Sequence, residues 1–399
     1  MRIGMMTDVY KPHISGITNY IALNKRHLEQ AGHEVFVFAF GDLEYEDDEP
    51  NIVRSPGLPL VDTGYYLSFR YSRQAKRLLQ TMDVVHVHHP FLSGYLALRY
   101  CRPLHIPIVF TNHTRYDLYA QAYLPLLSEG ISEALLETYM PSFCDGVDLV
   151  ISPSPGMADI LRQLKVTSHI EVISNGVELQ RFHLASEPAQ RTKIGFKPEE
   201  ILFIYTGRLG PEKNLGFLIQ AFAGVAEAVE EAHLILIGGG PEEEALKRQS
   251  AETDVSSRIH FVGLLDYDHL PSYLAMCDAF VTASVTEVHP LSVIEAMATG
   301  LPVLGIQSVG VGDTVEDGIT GFLASENQAA FAAKMTRLCM DHSLRRKMGD
   351  AARKASRQYA IERTSQIILE HYTHLVYQAA PRKRGLFAYL RSLVEKFRG

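Results

Sequence analysis

Ile201-Leu202-Phe203-Ile204-Tyr205-Thr206-Gly207-Arg208-Leu209-Gly210-Pro211-Glu212-Lys213-Asn214 reads as an apolar strand running into a glycine turn, and the helical spacing of Leu215–Val229 follows it. A strand that is apolar along its whole length, bounded by helix, belongs to a parallel sheet covered on both faces. The same pattern recurs on the N-terminal side at Ile3–Met6, Glu34–Phe40, Val84–His88, Ile106–Asn112, Leu149–Ser152 and Ile170–Ser174. On the C-terminal side it recurs at Leu234–Gly238, Ile259–Gly263, Ala279–Ala283 and Pro302–Gly305, with helical spacing at Ile17–Ala31 and Asn327–Met340. One doubly wound sheet rarely uses so many strands, so an α/β protein of two Rossmann-like parallel-sheet domains is expected. The expected divisions are an N-terminal domain of residues 1–178, a second domain of 179–360, a helix of 361–380 packing back on the first, and a tail of 381–399. Residues 184–200 are polar and without period, as a linker would be.

The 399 residues carry 38 Lys and Arg against 46 Asp and Glu, a formal net charge of -8. Broad nucleic-acid binding needs a basic footprint, so no nucleic-acid partner is expected. Cys101, Cys144, Cys277 and Cys339 lie far apart and suggest neither a zinc knuckle nor a disulfide scaffold. The start, Met1-Arg2-Ile3-Gly4-Met5-Met6-Thr7-Asp8, turns polar too soon for a signal peptide, and no apolar run is long enough to span a membrane. A cytoplasmic protein is expected. Residues 381–399 differ from the rest. Arg382, Lys383, Arg384, Arg391, Lys396 and Arg398 face Glu395 alone, six charges against one or +5, and Leu386, Phe387, Leu390, Leu393, Val394 and Phe397 fall on one helical face. Such a segment reads as a membrane-surface helix or as a helix docking on its own domain.

Four patterns in the second half carry chemistry. Arg208 and Lys213 place two cations in a strand-to-helix turn at the ligand edge of the sheet, which suits a diphosphate; the turn also reads as a surface loop with solvated charges. Glu287 and Glu295 are separated by seven residues, with Glu295 inside a helix and Glu287 at its entrance near the same side. Carboxylates suit sugar and ribose hydroxyls, and Glu295, set among Val293, Ile294, Ala296, Met297 and Ala298, needs a partner. The free N–H groups of that helix start, at Leu291 and Ser292, form a phosphate cradle. Gly238-Gly239-Gly240 is a glycine turn that needs no ligand, and Gly263 allows close approach of a base. In the first half, Gly16 follows Ser15 at a helix start. His113 ends a strand at the ligand edge and suits hydrogen bonding to substrate. His86, His88 and His89 have no acidic or thiol neighbour at ligand spacing, so no metal site is expected, and His86 reads as a core histidine.

These residues resemble a family. Gly207-Arg208-Leu209 with Glu212-Lys213-Asn214, the two spaced glutamates, and Ser174-Asn175-Gly176-Val177 are similar to the retaining glycosyltransferases of family 4, of GT-B fold, whose two Rossmann-like domains face a cleft. Thr286-Glu287-Val288-His289-Pro290-Leu291, His88-His89-Pro90-Phe91 and the run Asn112-His113-Thr114-Arg115-Tyr116-Asp117-Leu118-Tyr119 are similar to the branch that glycosylates diacylglycerol. The resemblance implies that Arg208 and Lys213 hold the donor diphosphate, Glu295 the ribose and Glu287 the sugar hydroxyls. It further implies that Gly16 meets the phosphate and that His113 touches the donor sugar. Ser15, where the family often has a second glycine, and Pro290, which removes one N–H from the cradle, depart from the pattern. The implied reaction is metal-independent and needs no cofactor. A sugar passes with retention from a nucleotide diphosphate sugar, UDP-glucose by default with GDP-mannose as competitor, to an acceptor hydroxyl. The implied acceptor is a membrane lipid such as diacylglycerol, reached at an anionic membrane surface through 381–399 on the inner face. A glycosyltransferase with a soluble acceptor and a GT-B sugar-nucleotide 2-epimerase are the alternatives.

Overall fold

The computed structural model describes residues 1–59, 65–118, 129–183 and 191–396, leaving out the side chains of 129–133 and 380–396. Tyr119, residues 184–190 of the expected linker, and the side chains of the expected basic tail therefore lie outside the described residues. The chain divides into unit 1, Met1–Asn175 with Ile361–Gly399, and unit 2, Gly176–Ala360.

Unit 1 is built on β1 (Arg2–Met6), β2 (Glu34–Phe40), β3 (Ile52–Ser55), a small hairpin of β4 (Leu58–Pro59) and β5 (Tyr66–Leu67), β6 (Val84–Val87), β7 (Ile108–Thr111), β8 (Leu149–Ser152) and β9 (Ile170–Val172). Apart from the hairpin these strands form one parallel sheet in the order β3-β2-β1-β6-β7-β8-β9. Every residue of β6, β7 and β8 is buried, because helices cover both faces. Those helices include α1 (Gly16–Gln30), α2 (Arg73–Leu79), α3 (Leu92–Tyr100), α4 (Glu129–Cys144) and α5 (Pro155–Gln163). At the start of α1 the Thr18 N–H donates to Ser15 Oγ at 3.2 Å and the Ser15 N–H to Thr18 Oγ1 at 2.8 Å, a reciprocal capping box.

Unit 2 begins with α6 (Leu179–His183) and α7 (Arg191–Ile194). Its sheet contains β10 (Ile201–Thr206), β11 (Ala232–Ile237), β12 (Ile259–Gly263), β13 (Ala279–Thr282), β14 (Val303–Ile306) and β15 (Gly321–Ala324), in the order β12-β11-β10-β13-β14-β15. The helices between and after them are α8 (Leu215–Ala226), α9 (Glu243–Ala251), α10 (Leu270–Met276), α11 (Leu291–Thr299), α12 (Val309–Thr314), α13 (Gln328–Met340) and α14 (His342–Ser356). Successive residues of β10 serve opposite cores. Phe203 packs with Leu234 and Phe331 on one face, and Ile204 with Ile235 and Met297 on the other.

The chain then returns to unit 1 as α15 (Ile361–Lys396), which packs along α1 and β6. Ile368 and Tyr372 of α15 complete the cluster around Ile3, Val35 and Val84. The expected α/β class with two Rossmann-like parallel sheets is what forms. Strand order reverses between β1 and β6 in one sheet and between β10 and β13 in the other. Such reversals leave a crevice at the carboxyl ends of the strands, where ligands of these sheets bind.

Candidate functional site

In unit 2 the crevice lies between the loop after β10 and the loop after β13. β10 passes into Gly207, whose N–H donates to the Ile237 carbonyl at 3.0 Å, and the Gly238 N–H donates to the Gly263 carbonyl at 2.9 Å. Gly238 sits at φ 140°, and a Cβ there would fall 1.9 Å from the Gly207 oxygen. The glycine turn after β11 thus serves to let backbone meet backbone beside the Arg208 loop. Arg208 is exposed, and the buried Tyr205 pins its backbone by donating its hydroxyl to the Arg208 carbonyl at 3.0 Å.

Lys213 closes the short turn Pro211–Lys213, and Asn214 in the left-handed region starts α8. The Lys213 Nζ lies 2.6 Å from Glu287 Oε1, joining the two loops across the strand-order reversal. Ser284 Oγ and Thr286 Oγ1 both donate to the Glu212 carbonyl, at 3.1 and 3.2 Å, and hold the lysine turn in place. The Gly310 N–H donates to the Glu287 carbonyl at 3.0 Å. Glu287 itself lies outside the helix, since α11 starts only at Leu291. Helical spacing therefore does not set its position relative to Glu295, and the Lys213 pair and the Gly310 bond do.

No side chain caps α11: Pro290 stands at its N-cap, and the half-buried Leu291 and Ser292 open its first turn. The N–H groups of that turn are at the positive end of the helix dipole. His289 is buried with its ring edge-on to Tyr359 at 5.0 Å, and burial pushes its imidazole down to about 3.

Glu295 is 7% exposed, and its carboxylate accepts the Tyr267 hydroxyl at 2.7 Å. Burial pushes the Glu295 carboxyl up to about 7, against the opposing effects of that hydrogen bond and of Arg181. The Arg181 guanidinium lies 5.0 Å over the Tyr267 ring and 3.0 Å from Asp268. The partner that Glu295 demands is thus a tyrosine whose place the sequence pattern does not reveal. Gly263, at φ 79°, has nothing within 4 Å of a Cβ built on it, so space lies open in front of it.

Unit 1 holds Gly16 and His113. Gly16 opens α1 and likewise has nothing within 4 Å of an added Cβ, while Ser15 takes one N–H of the helix start. His113 is half-buried just beyond β7, its Nε2 3.1 Å from His88 Nδ1 and its ring against the edge of Tyr20 at 4.7 Å. Burial holds both imidazoles well below the usual histidine range. His86 is a core residue, bonded through Nδ1 to the Tyr372 hydroxyl at 2.5 Å and through Nε2 to Thr111 Oγ1 at 2.7 Å. Burial pushes it down to about 3. His89 Nδ1 accepts the Asp8 N–H at 3.2 Å, which puts the His89 proton on Nε2. Among the described residues no three His, Cys, Asp or Glu side chains converge as a metal-binding set. Nor is any described helix long and apolar enough to cross a membrane.

Of the residues singled out in the sequence, Arg208, Lys213, Gly263, Glu287, Leu291, Ser292 and Glu295 belong to unit 2, and Gly16 and His113 to unit 1. Sequence spacing missed Tyr267, Arg181 and Ser284, and Thr286 entered only as the first residue of the run quoted for the resemblance.

Residues 14–181 match the model of Glycosyltransferase Family 4, and residues 186–355 that of Glycosyl transferases group 1. The chain is 30% identical over 337 residues to an alpha-monoglucosyldiacylglycerol synthase of Streptococcus pneumoniae, covering 81% of this chain and 75% of that protein. It is 29% identical over 344 residues to the enzyme of the same name from Acholeplasma laidlawii, covering 82% and 86%. In three dimensions it resembles Anabaena HepE, solved in complex with UDP and glucose, with a TM-score of 0.74 at 18% identity, covering 94% of this chain and 100% of that one. Matched along both units and related over most of its length to lipid-glycosylating enzymes, the chain is a glycosyltransferase of GT-B fold and belongs to glycosyltransferase family 4.

Proposed function

We propose that the protein transfers glucose from UDP-glucose to a hydroxyl of a membrane diacylglycerol, with retention at the anomeric carbon and without a metal ion. The observation that carries the reading is the meeting of Lys213 and Glu287 at 2.6 Å across the strand-order reversal of unit 2, between the Arg208 turn and the uncapped start of α11.

The diphosphate must leave with extra negative charge. Arg208, Lys213 and the N–H groups at Leu291 and Ser292 stabilise that charge as it develops, and preorganised stabilisation of this kind supplies most of the acceleration in such reactions. Two cations and a helix dipole supply what a divalent ion otherwise would. Glu287 accepts hydrogen bonds from the sugar hydroxyls, Glu295 from the ribose, and Gly263 admits the base. Gly16 and His113 of unit 1 take the phosphate and sugar roles that the family resemblance implies. The acceptor oxygen bonds to the anomeric carbon on the face that the diphosphate leaves, and its proton passes to a leaving phosphate oxygen. Lipid as acceptor rests on the relatives' names and on the basic amphipathic sequence 381–399, which also supports a position on the inner face of an anionic membrane.

The test is incubation with radiolabelled UDP-glucose or GDP-mannose, in EDTA, with diacylglycerol in anionic vesicles. The expected result is an α-linked glucolipid formed from UDP-glucose alone. Sugar transfer only to soluble acceptors, or a new sugar nucleotide formed without acceptor, overturns the lipid reading. Sedimentation with the same vesicles, with and without residues 381–399, tests the tail; equal binding of both forms means that the tail takes no part.

A further inference from the structure

Glu295 lies in the second turn of α11, among Val293, Ile294, Ala296, Met297 and Ala298, all buried. An ionised carboxylate accepts about four hydrogen bonds. One oxygen, Oε1, takes the Tyr267 hydroxyl at 2.7 Å. Tyr267 lies just ahead of α10, and consecutive residues of α6 grip its ring. Arg181 lies 5.0 Å over the ring, and Phe182 meets it edge-on at 6.1 Å. Arg181 is itself anchored 3.0 Å from Asp268, the next residue along from Tyr267. The phenol is thus fixed from a second helix and cannot simply follow the carboxylate. It holds Oε1, and Oε2 takes no hydrogen bond among the described residues.

We infer that Tyr267 is a positioning residue for the donor nucleotide: it fixes one oxygen of Glu295 so that the other meets the vicinal hydroxyls of the ribose. The inference rests on the proposed ribose role of Glu295 and adds to it a residue that none of the motifs contains. The groups that bear on the carboxyl from neighbouring elements are Tyr267 and Arg181, which both favour its ionised form. Arg353 of α14 is engaged elsewhere, by the Thr299 carbonyl at 2.6 Å, and Glu178 bears on Tyr267. Only the ionised carboxylate accepts both ribose hydroxyls. Removing the phenol therefore loosens the geometry and also raises the pH at which the carboxyl ionises.

The test compares Tyr267→Phe and Glu295→Gln with the parent, using UDP-glucose and its 2′-deoxyribose analogue. Tyr267→Phe should raise the KM for UDP-glucose about tenfold near neutral pH, the scale of one hydrogen bond to a charged group, with kcat within about threefold. It should move the acidic limb of kcat/KM for the donor upward by about half a pH unit or more. The preference for the ribose donor over its 2′-deoxy analogue should shrink. A merely structural role for Tyr267 would alter melting temperature without moving that limb. If Glu295→Gln leaves both donor KM and ribose preference unchanged, the ribose reading falls, and the inference with it. If Glu295→Gln weakens donor binding while Tyr267→Phe keeps the parental KM, pH profile and ribose preference, the inference alone is overturned.

Discussion

Lys213 and Glu287, 74 residues apart in sequence, form an ion pair of 2.6 Å, each side chain 21% exposed. The proposed reaction gives these two groups different tasks, phosphate for the lysine and sugar hydroxyls for the glutamate. A bound donor must draw the lysine away from the carboxylate or share it. Glu287→Gln frees the lysine, so UDP should bind as tightly as to the parent or up to about threefold tighter, while turnover of UDP-glucose falls. Lys213→Ala should lower kcat by about 100-fold or more. Calorimetry with UDP and steady-state kinetics check both; a Lys213→Ala enzyme within about fivefold of the parent contradicts the charge-stabilisation account.

Glu295 should be costly to the fold. Its carboxyl is pushed up to about 7 from an ordinary value of 4.5. Between those values the unfolded chain loses the proton that the folded chain keeps, so this group's contribution to stability declines as pH rises through that window. Glu295→Gln keeps an acceptor for Tyr267 and removes the ionisation. Unit 2 should gain about 3 kcal/mol at pH 8 but under about 1 kcal/mol at pH 5. Urea unfolding at the two pH values measures the difference, and an equal gain at both would contradict the buried-carboxylate account.

Histidines act in the opposite sense. Burial depresses His86, His88 and His113 in unit 1 and His289 in unit 2, so the folded state holds them neutral where the unfolded chain would protonate them. Their contribution is present above the ordinary histidine value of 6.5 and is lost as pH falls below it. At pH 5.5 each should cost roughly 1 kcal/mol. Urea midpoints should therefore drop between pH 7 and 5.5, and replacing His289 with a residue that does not titrate should flatten the drop in unit 2.

Two glycines at strand ends should respond differently to alanine. At Gly238 the new methyl meets the Gly207 oxygen, so Gly238→Ala should destabilise unit 2 by at least about 3 kcal/mol. At Gly263 the methyl meets nothing, and only the backbone conformation costs, about 1–2 kcal/mol. If the nucleotide base occupies that open space, Gly263→Ala should still raise the donor KM about tenfold. Melting curves alongside donor titrations separate the two effects.

The alternation of apolar strand and amphipathic helix was enough to read the two parallel sheets, because strands buried on both faces show it without help from distant residues. β3 and β15 escaped that reading. Ile52-Val53-Arg54-Ser55 is half polar, with Arg54 turned to Asp47 at 2.6 Å, and β15 is four residues opening with Gly321. In the site, the apolar setting of Glu295 announced that a partner must exist, and one does. Its identity was not readable, because Tyr267 lies 28 residues upstream and arrives through the packing of α6 and α10 against α11. The same holds for the Lys213–Glu287 pair, which joins loops that only strand order brings together. The helical relation expected between Glu287 and Glu295 fails for a local reason: Pro290 delays the helix until Leu291.

Unit 1 is discontinuous along the chain, and its apolar cluster is finished by Ile368 and Tyr372 on α15. Residues 176–360, a whole unit of their own, are synthesised before those two side chains exist. Until α15 emerges, the surface that Tyr372 covers stays bare and His86 Nδ1 lacks its phenol partner. The half translated first is the half completed last, so a nascent chain halted before Tyr372 exposes its defect at the opposite end of the polypeptide from the break.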